Sequence, residues 1–273
     1  MGDVTFDTSV THRRLRNVIE DAFCTPDLRR CVGNPGIGLL AMLRTMSGSA
    51  VPAPRAEAQW TSVHVSLSAR RKISWPIGAD LTGTVFYTWQ RSEGNIEAPD
   101  VSSTRIVGID PYARPAFDFA ELVPPRGPLA RDRRHNIVGT ATMTLDGLRP
   151  ADSVVASLLP RWSSGEPRAA FLYSDLYGRY VEYLDARGRA GGYSPRAWEM
   201  DASVTYHYTI GNGTLRVGAL LQNVLNRQTA LIDDQRATLG GTTGAVARPN
   251  PTFLTPMARL DPFATRLFVR YVF

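Results

Sequence analysis

The 273-residue sequence has one lysine, Lys72, two cysteines and four histidines. It also lacks a long apolar run. Ile37 to Leu43 is among the longest, and a glycine interrupts it; a membrane-spanning helix needs about 20 apolar residues. Helical membrane spans are therefore excluded. Met1 is followed by Gly-Asp-Val-Thr-Phe-Asp, without the basic and apolar regions of a secretion signal, so the chain is read as lacking its own export signal. Cys24 and Cys31 have no second pair to complete a zinc site, and His12, His64, His135 and His207 stand at no ligand spacing to them. There is no phosphate-cradling glycine loop and no nucleophile elbow. The expectation is a protein that is not an enzyme, with no cofactor, no catalytic residues and no bound metal.

Apolar residues make up 43% of the chain, which excludes general disorder. The net charge of +6 comes almost wholly from arginine. The arginines are scattered and no groove-reading motif collects them, so nucleic acid is not an expected partner.

What the sequence does have is alternation. From Leu81, one face reads Leu81, Gly83, Val85, Tyr87, Trp89 and the other Thr82, Thr84, Phe86, Thr88, Gln90. Ser62 to Ala69, Ile137 to Leu145 and Met200 to Ile210 repeat the pattern, with Ser and Thr facing Val, Leu, Met and Tyr. Half-apolar segments rich in Thr, Val and aromatics predict antiparallel strands. Further strands are expected at about Val4 to Ile19, Ser153 to Ser163, Thr214 to Asn226 and Ala264 to Phe273. The 153–163 strand is the weakest of the eight because Pro160 interrupts it.

Short and long connections alternate strictly. Ser74 to Asp80, Asp146 to Pro150 and Gly211-Asn212-Gly213 are short. The segments 20–59, 94–134, 164–197 and 227–263 are long. Loops above about 15 residues are uncommon in compact soluble domains. Outer-membrane barrels, by contrast, have short periplasmic turns and long extracellular loops. The expected fold class is thus all-β: an antiparallel transmembrane β-barrel segment with lipid on the apolar face and a wet lumen on the Ser/Thr face. Trp60, Trp75, Tyr87, Trp89, Trp198, Tyr206, Tyr208 and Tyr271 gather near strand ends, as interfacial girdles do. Leu267, Val269, Tyr271 and Phe273 share one face of the last strand, with Arg266 and Arg270 on the other.

The final residues resemble the C-terminal assembly signal of Gram-negative outer-membrane proteins. More of the chain resembles the C-terminal half of TonB-dependent receptors, particularly the Oar-like barrel branch. The matching segments run in order: Arg14 to Asp21, Gly33-Asn34-Pro35-Gly36, Tyr87 to Asn95, Gly127-Pro128-Leu129, Asp132-Arg133-Arg134-His135, Ser164-Gly165-Glu166-Pro167, Gln222 to Gln228 and Asn250-Pro251-Thr252-Phe253. Family members begin with a signal peptide, a TonB-contacting box and a plug, followed by a barrel of about 22 strands. The resemblance therefore implies that residues 1–273 are the C-terminal portion of an outer-membrane barrel, without plug or signal peptide. It implies a receptor that binds and imports a bulky substrate, and contacts TonB only through the missing plug. The implied partners are outer-membrane lipid and the barrel-assembly machinery, which reads Leu267, Val269, Tyr271 and Phe273. The location implied for the full-length parent is the cell outer membrane. Two other readings stay open: a small structural or adhesive outer-membrane barrel without transport, and a soluble basic β-domain.

On the barrel topology the four long connections lie outside the cell and Gly211-Asn212-Gly213 lies in the periplasm. Cys24 and Cys31 then sit in an oxidising compartment, and a disulfide between them is expected. Asp132 with His135 has the form of an acid–base pair, but the family context reads it as a strand-entry motif. Asp233 and Asp234 are expected to be solvated loop carboxylates, with divalent-cation binding as the other reading.

Overall fold

A period of two over a segment with one apolar face yields a strand that needs neighbours to pair with, and the eight longest such segments pair in one sheet. The computed structural model describes residues 2–17, 20–23, 30–33, 37, 38, 42, 55, 57–74, 78–94, 127–129, 132–146, 152–168, 170–174, 179–182, 192–240 and 248–273. Its first strands are β1 (Asp3–Arg16), β2 (Glu20–Phe23), β3 (Arg30–Gly33), β4 (Glu57–Ile73), β5 (Gly78–Gly94), β6 (Gly127–Pro128), β7 (His135–Asp146) and β8 (Ser153–Ser163). There follow β9 (Phe171–Ser174), β10 (Arg179–Glu182), β11 (Ala197–Ile210), β12 (Gly213–Gln222), β13 (Ala230–Asp233), β14 (Thr238–Leu239), β15 (Arg248–Pro249), β16 (Pro256–Arg259) and β17 (Ala264–Val272).

One sheet carries the eight long strands in the order β1-β4-β5-β7-β8-β11-β12-β17, every pair antiparallel. Each long strand thus lies beside the next long strand in sequence. Successive connections must fall at opposite ends, so 74–77, 147–152 and 211–212 share one end and the four long connections share the other. The remaining short strands belong to the long connections. β6 continues the line of β7 along the far end of β5, while β2–β3, β9–β10, β13–β16 and β14–β15 form separate two-stranded pairs.

The boundaries differ from the sequence expectation where asparagine takes a left-handed backbone. β1 ends at Arg16 rather than Ile19 because Asn17 turns the chain at φ 58°, and β12 ends at Gln222 because Asn223 does so at φ 47°. Asparagine tolerates that region better than other residues with a side chain. Pro160, expected to make 153–163 the weakest strand, sits inside the sheet, because β8 lies between β7 and β11. The β7–β8 ladder breaks between Val138↔Arg161 and Ala141↔Leu158, and Gly139 leaves room there for the proline ring.

The sheet is not a closed barrel. Among the described residues β1 pairs only with β4 and β17 only with β12. Nor does it enclose an apolar core, since the buried apolar residues described are Ala58, Leu129 and Ala170.

Candidate functional site

The register sorts the side chains of the large sheet into two unlike faces. One row crosses it as Val4, Ala69, Gly83, Ala141, Leu158, Ala202 and Leu221. The next reads Leu81, Met143, Ala156, Val204, Ala219 and Leu267. The first row carries no charge, the second meets Arg71 on β4 opposite Leu81, and Val4, Leu158, Val204 and Leu267 are exposed. Aromatics stand at both ends of this face. Trp162 and Trp198 pair across β8 and β11 with ring centroids 6.2 Å apart, in the row that contains Tyr87. Tyr206, Tyr208, Tyr271 and Phe273 stand at the short-turn end, where Tyr206 stacks on Tyr208 and Tyr271 lies 5.8 Å from Phe273. Trp162 escaped the sequence reading because its strand was not resolved into faces.

The other face carries the hydroxyls and most of the charge, with Phe86, Leu159, Leu220 and Phe268 among them. Ser68 Oγ lies 3.0 Å from Thr84 Oγ1, and Thr142 Oγ1 lies 3.2 Å from Ser157 Oγ. His64 and His207 fall on this face, as their alternation predicts. Cross-strand ion pairs on this face join Arg70 with Asp80, and Arg161 with Glu199 (3.0 Å) and Asp201 (3.1 Å). Trp60 also lies here, opposite Arg13 and Ser92, so it does not belong to the aromatic girdle expected of it.

At the long-connection end the carboxylates are buried and partnered. Asp132, with no exposed surface, accepts from the Ser92 amide (2.7 Å) and hydroxyl (3.2 Å). Arg134 Nε lies 2.7 Å from Asp132 Oδ2, an ionic contact whose N–H is off line for a hydrogen bond. Burial pushes the Asp132 carboxyl above its ordinary value, outweighing the Ser92 bonds and the Arg134 charge that pull it down. Its backbone N–H donates to Leu129, whose own amide donates to Ser92, so the strap is tied to the tip of β5. Arg133 donates to Ser163 (2.7 Å) and to Glu166 (2.6 Å), joining the 95–134 connection to the start of 164–196.

Asp233 and Asp234 are neither solvated nor arranged around a cation. Asp233 takes Arg168 at 2.6 Å, which links the 164–196 and 223–263 connections. Asp234 accepts from Arg236 Nε (2.8 Å), Asn250 Nδ2 (2.9 Å) and Thr252 Oγ1 (2.9 Å). Burial works against the Asp234 charge, but the bonds from Arg236, Asn250 and Thr252 hold it well below the carboxylate range. No group of three metal-ligating side chains occurs among the described residues. Asp132 and His135 do not form a pair either. The His135 ring stacks on Tyr87 and its Nδ1 lies 2.8 Å from the Tyr87 hydroxyl, while Asp132 turns to Ser92.

Of the terminal-strand residues singled out by sequence, Leu267, Val269, Tyr271 and Phe273 lie on the apolar side, and Phe273 is 98% exposed. Arg266 and Arg270 face the other way. Cys24, and with it the expected Cys24–Cys31 bond, lies outside the described residues; the backbone of Cys31 belongs to β3.

No family model matches the chain. No solved structure matches it either. The chain is 27% identical over 241 residues to the TonB-dependent transporter Oar of Myxococcus xanthus, a match covering 88% of this chain. It spans only 21% of that protein's length. The likeness is thus to a transporter, over one stretch of a much longer protein.

Proposed function

We propose that this chain is the C-terminal portion of the barrel wall of a TonB-dependent outer-membrane receptor, which binds a bulky substrate at its long connections and imports it. The observation that carries this reading is the apolar face: exposed, uncharged but for Arg71 on β4, and continuous across all eight strands between two groups of aromatics. In water such a face is an aggregation hazard, whereas in a bilayer it is already in its preferred solvent. Its height fits. Trp198 and Tyr208 are ten residues apart on β11, which at about 3.3 Å per residue and a tilt of about 40° gives about 25 Å, the height of an outer-membrane apolar band.

In lipid an open sheet edge costs several kcal/mol per unsatisfied backbone group. On this reading β1 and β17 pair with further strands of a larger wall, which accords with a chain that spans 21% of its longer relative. The hydroxylated face lines a wet lumen, the short turns lie in the periplasm, and the buried ionic shelf holds the long connections in shape outside the cell. Leu267, Val269, Tyr271 and Phe273 form the terminal signal read by the assembly machinery. Contact with TonB belongs to a plug region outside these residues, and no catalytic step is assigned to the wall.

The topology is tested by single cysteines in the full-length parent displayed on intact cells, with Cys24 and Cys31 replaced by serine. A membrane-impermeant thiol probe should label Gln228→Cys, in the last long connection, and spare Asn212→Cys. Labelling of Asn212→Cys alone would overturn the orientation. A chain monodisperse in buffer without detergent would overturn the membrane reading.

A further inference from the structure

Trp89, Trp162 and Trp198 lie on the apolar face, and Trp60 alone of the described tryptophans lies on the polar one. There it lines a cavity of about 460 Å³ together with Thr11, Arg13, Ser62, His64 and Gln90. The volume falls within the range of about 300–1,000 Å³ typical of small-molecule sites. The register explains the grouping: Arg13↔Trp60 and Thr11↔Ser62↔Gln90 are successive same-face rungs across β1, β4 and β5, and His64 occupies the next.

The charges around this cavity are unevenly matched. Arg14 is paired with Glu57 at 2.7 Å, and Arg91 with Glu93 at 2.5 Å. The Arg13 guanidinium, facing the cavity, has no hydrogen bond or ion pair with any described residue. His64 is held in place, with Nε2 3.0 Å from Ser62 Oγ and Nδ1 3.1 Å from Thr88 Oγ1. An indole, a planar fork of donors without a partner among the described residues, and hydroxyl and carboxamide groups therefore line one space. A guanidinium fork matches a carboxylate or phosphate bidentately. An indole offers a large apolar face with a donor at its edge. The remaining groups suit hydroxyls.

We propose that this cavity binds a sugar acid, an oxyanion carried on a hydroxylated ring: the oxyanion on Arg13, the ring against Trp60, and ring hydroxyls on Ser62, which His64 holds in place, and Gln90. The proposal rests on reading the polar face as the wet wall. Carboxylated and phosphorylated sugars share this chemistry, and the test separates them.

The full chain, folded in detergent, is titrated calorimetrically with glucuronate, glucose 6-phosphate, glucose and inorganic phosphate. Saturable one-site binding of at least one of the two acids is expected, at least tenfold tighter than glucose and inorganic phosphate. Preference for glucuronate identifies a carboxylate, and preference for glucose 6-phosphate a phosphate. Arg13→Gln should weaken the acid at least tenfold and leave glucose unchanged; Trp60→Leu should weaken it too, while Trp60→Phe retains it. Absence of saturable acid binding by a chain with an intact β-sheet circular dichroism spectrum overturns the proposal. So does glucose or inorganic phosphate binding as tightly as the acids, or affinity unchanged in Arg13→Gln. A chain that requires detergent but binds neither acid sinks this inference alone. A chain soluble without detergent sinks the membrane reading, whatever it binds.

Discussion

Arg216 and Arg270 stand directly opposite one another on the polar face of the β12–β17 ladder, and His207 faces Arg216 from β11. No described carboxylate contacts either arginine, and the Nε of Arg216 is buried without an acceptor. Like charges facing across a ladder destabilise by about as much as opposite charges stabilise, about 0.2–1 kcal/mol. Arg270→Glu turns the repulsion into an attraction. The thermal midpoint of the detergent-solubilised chain should rise by a few degrees, since about 1 kcal/mol moves a chain of this size by about 2–4 °C. A fall would mean that Arg270 already holds an acceptor.

Asp132 and Asp234 predict opposite responses to acid. The Asp132 carboxyl is raised by burial, so between the ordinary and the raised value the folded state holds more protons than the unfolded one. Its strap is therefore stabilised as pH falls through that window. The Asp234 carboxyl is lowered by its hydrogen bonds; its contribution is present above the ordinary carboxylate value and is lost as pH falls below it. Hydrogen exchange from neutral pH down to about pH 3, corrected for intrinsic rates, should leave the Ser92 and Leu129 amides protected while those of Arg236 and Leu254 open. Simultaneous loss at both places would contradict this assignment.

Gly139 is the reason a proline fits inside the sheet. A methyl group at 139 would come within 3.0 Å of the Pro160 ring carbon Cγ. Gly139→Ala should cost about 1–3 kcal/mol, the usual range for overpacking. Pro160→Ala removes the ring, so the double variant should recover more than 0.5 kcal/mol relative to the sum of the singles, about the smallest coupling seen for residues in contact. Strict additivity in urea unfolding would show that the two residues do not share the space.

Phe273 extends the row Leu267, Val269, Tyr271 by one more lipid-facing ring. On the proposed function, deleting it from the full-length parent should sharply lower the outer-membrane level on immunoblots, whereas deleting Met1 to Asp3 from this chain should change little. Undiminished insertion without Phe273 would make the terminus an ordinary strand.

The eight strands were legible because each keeps a period of two over about ten residues, long enough for one face to declare itself. Their ends were less so: Asn17 and Asn223 stop β1 and β12 through local backbone geometry that alternation does not register. The burial of Asp233 was hidden for another reason. Its partner Arg168 lies in a different long connection, and only the folded sheet brings the two together. Trp60 was assigned to the girdle because it lies near a strand end, yet it shares the parity of Ser62 and His64 on the polar face.

Whether the apolar face meets lipid and the polar face water is read from nitroxide accessibility along β11. Single spin labels at Ala202, Ser203, Val204 and Thr205, with the chain reconstituted in lipid bilayers, report collisions with oxygen dissolved in the bilayer and with a water-soluble nickel complex. Oxygen exposure at 202 and 204, nickel exposure at 203 and 205, and a strict alternation between them are expected. Uniform accessibility to nickel at all four positions, or alternation in the opposite phase, would contradict this assignment of the faces.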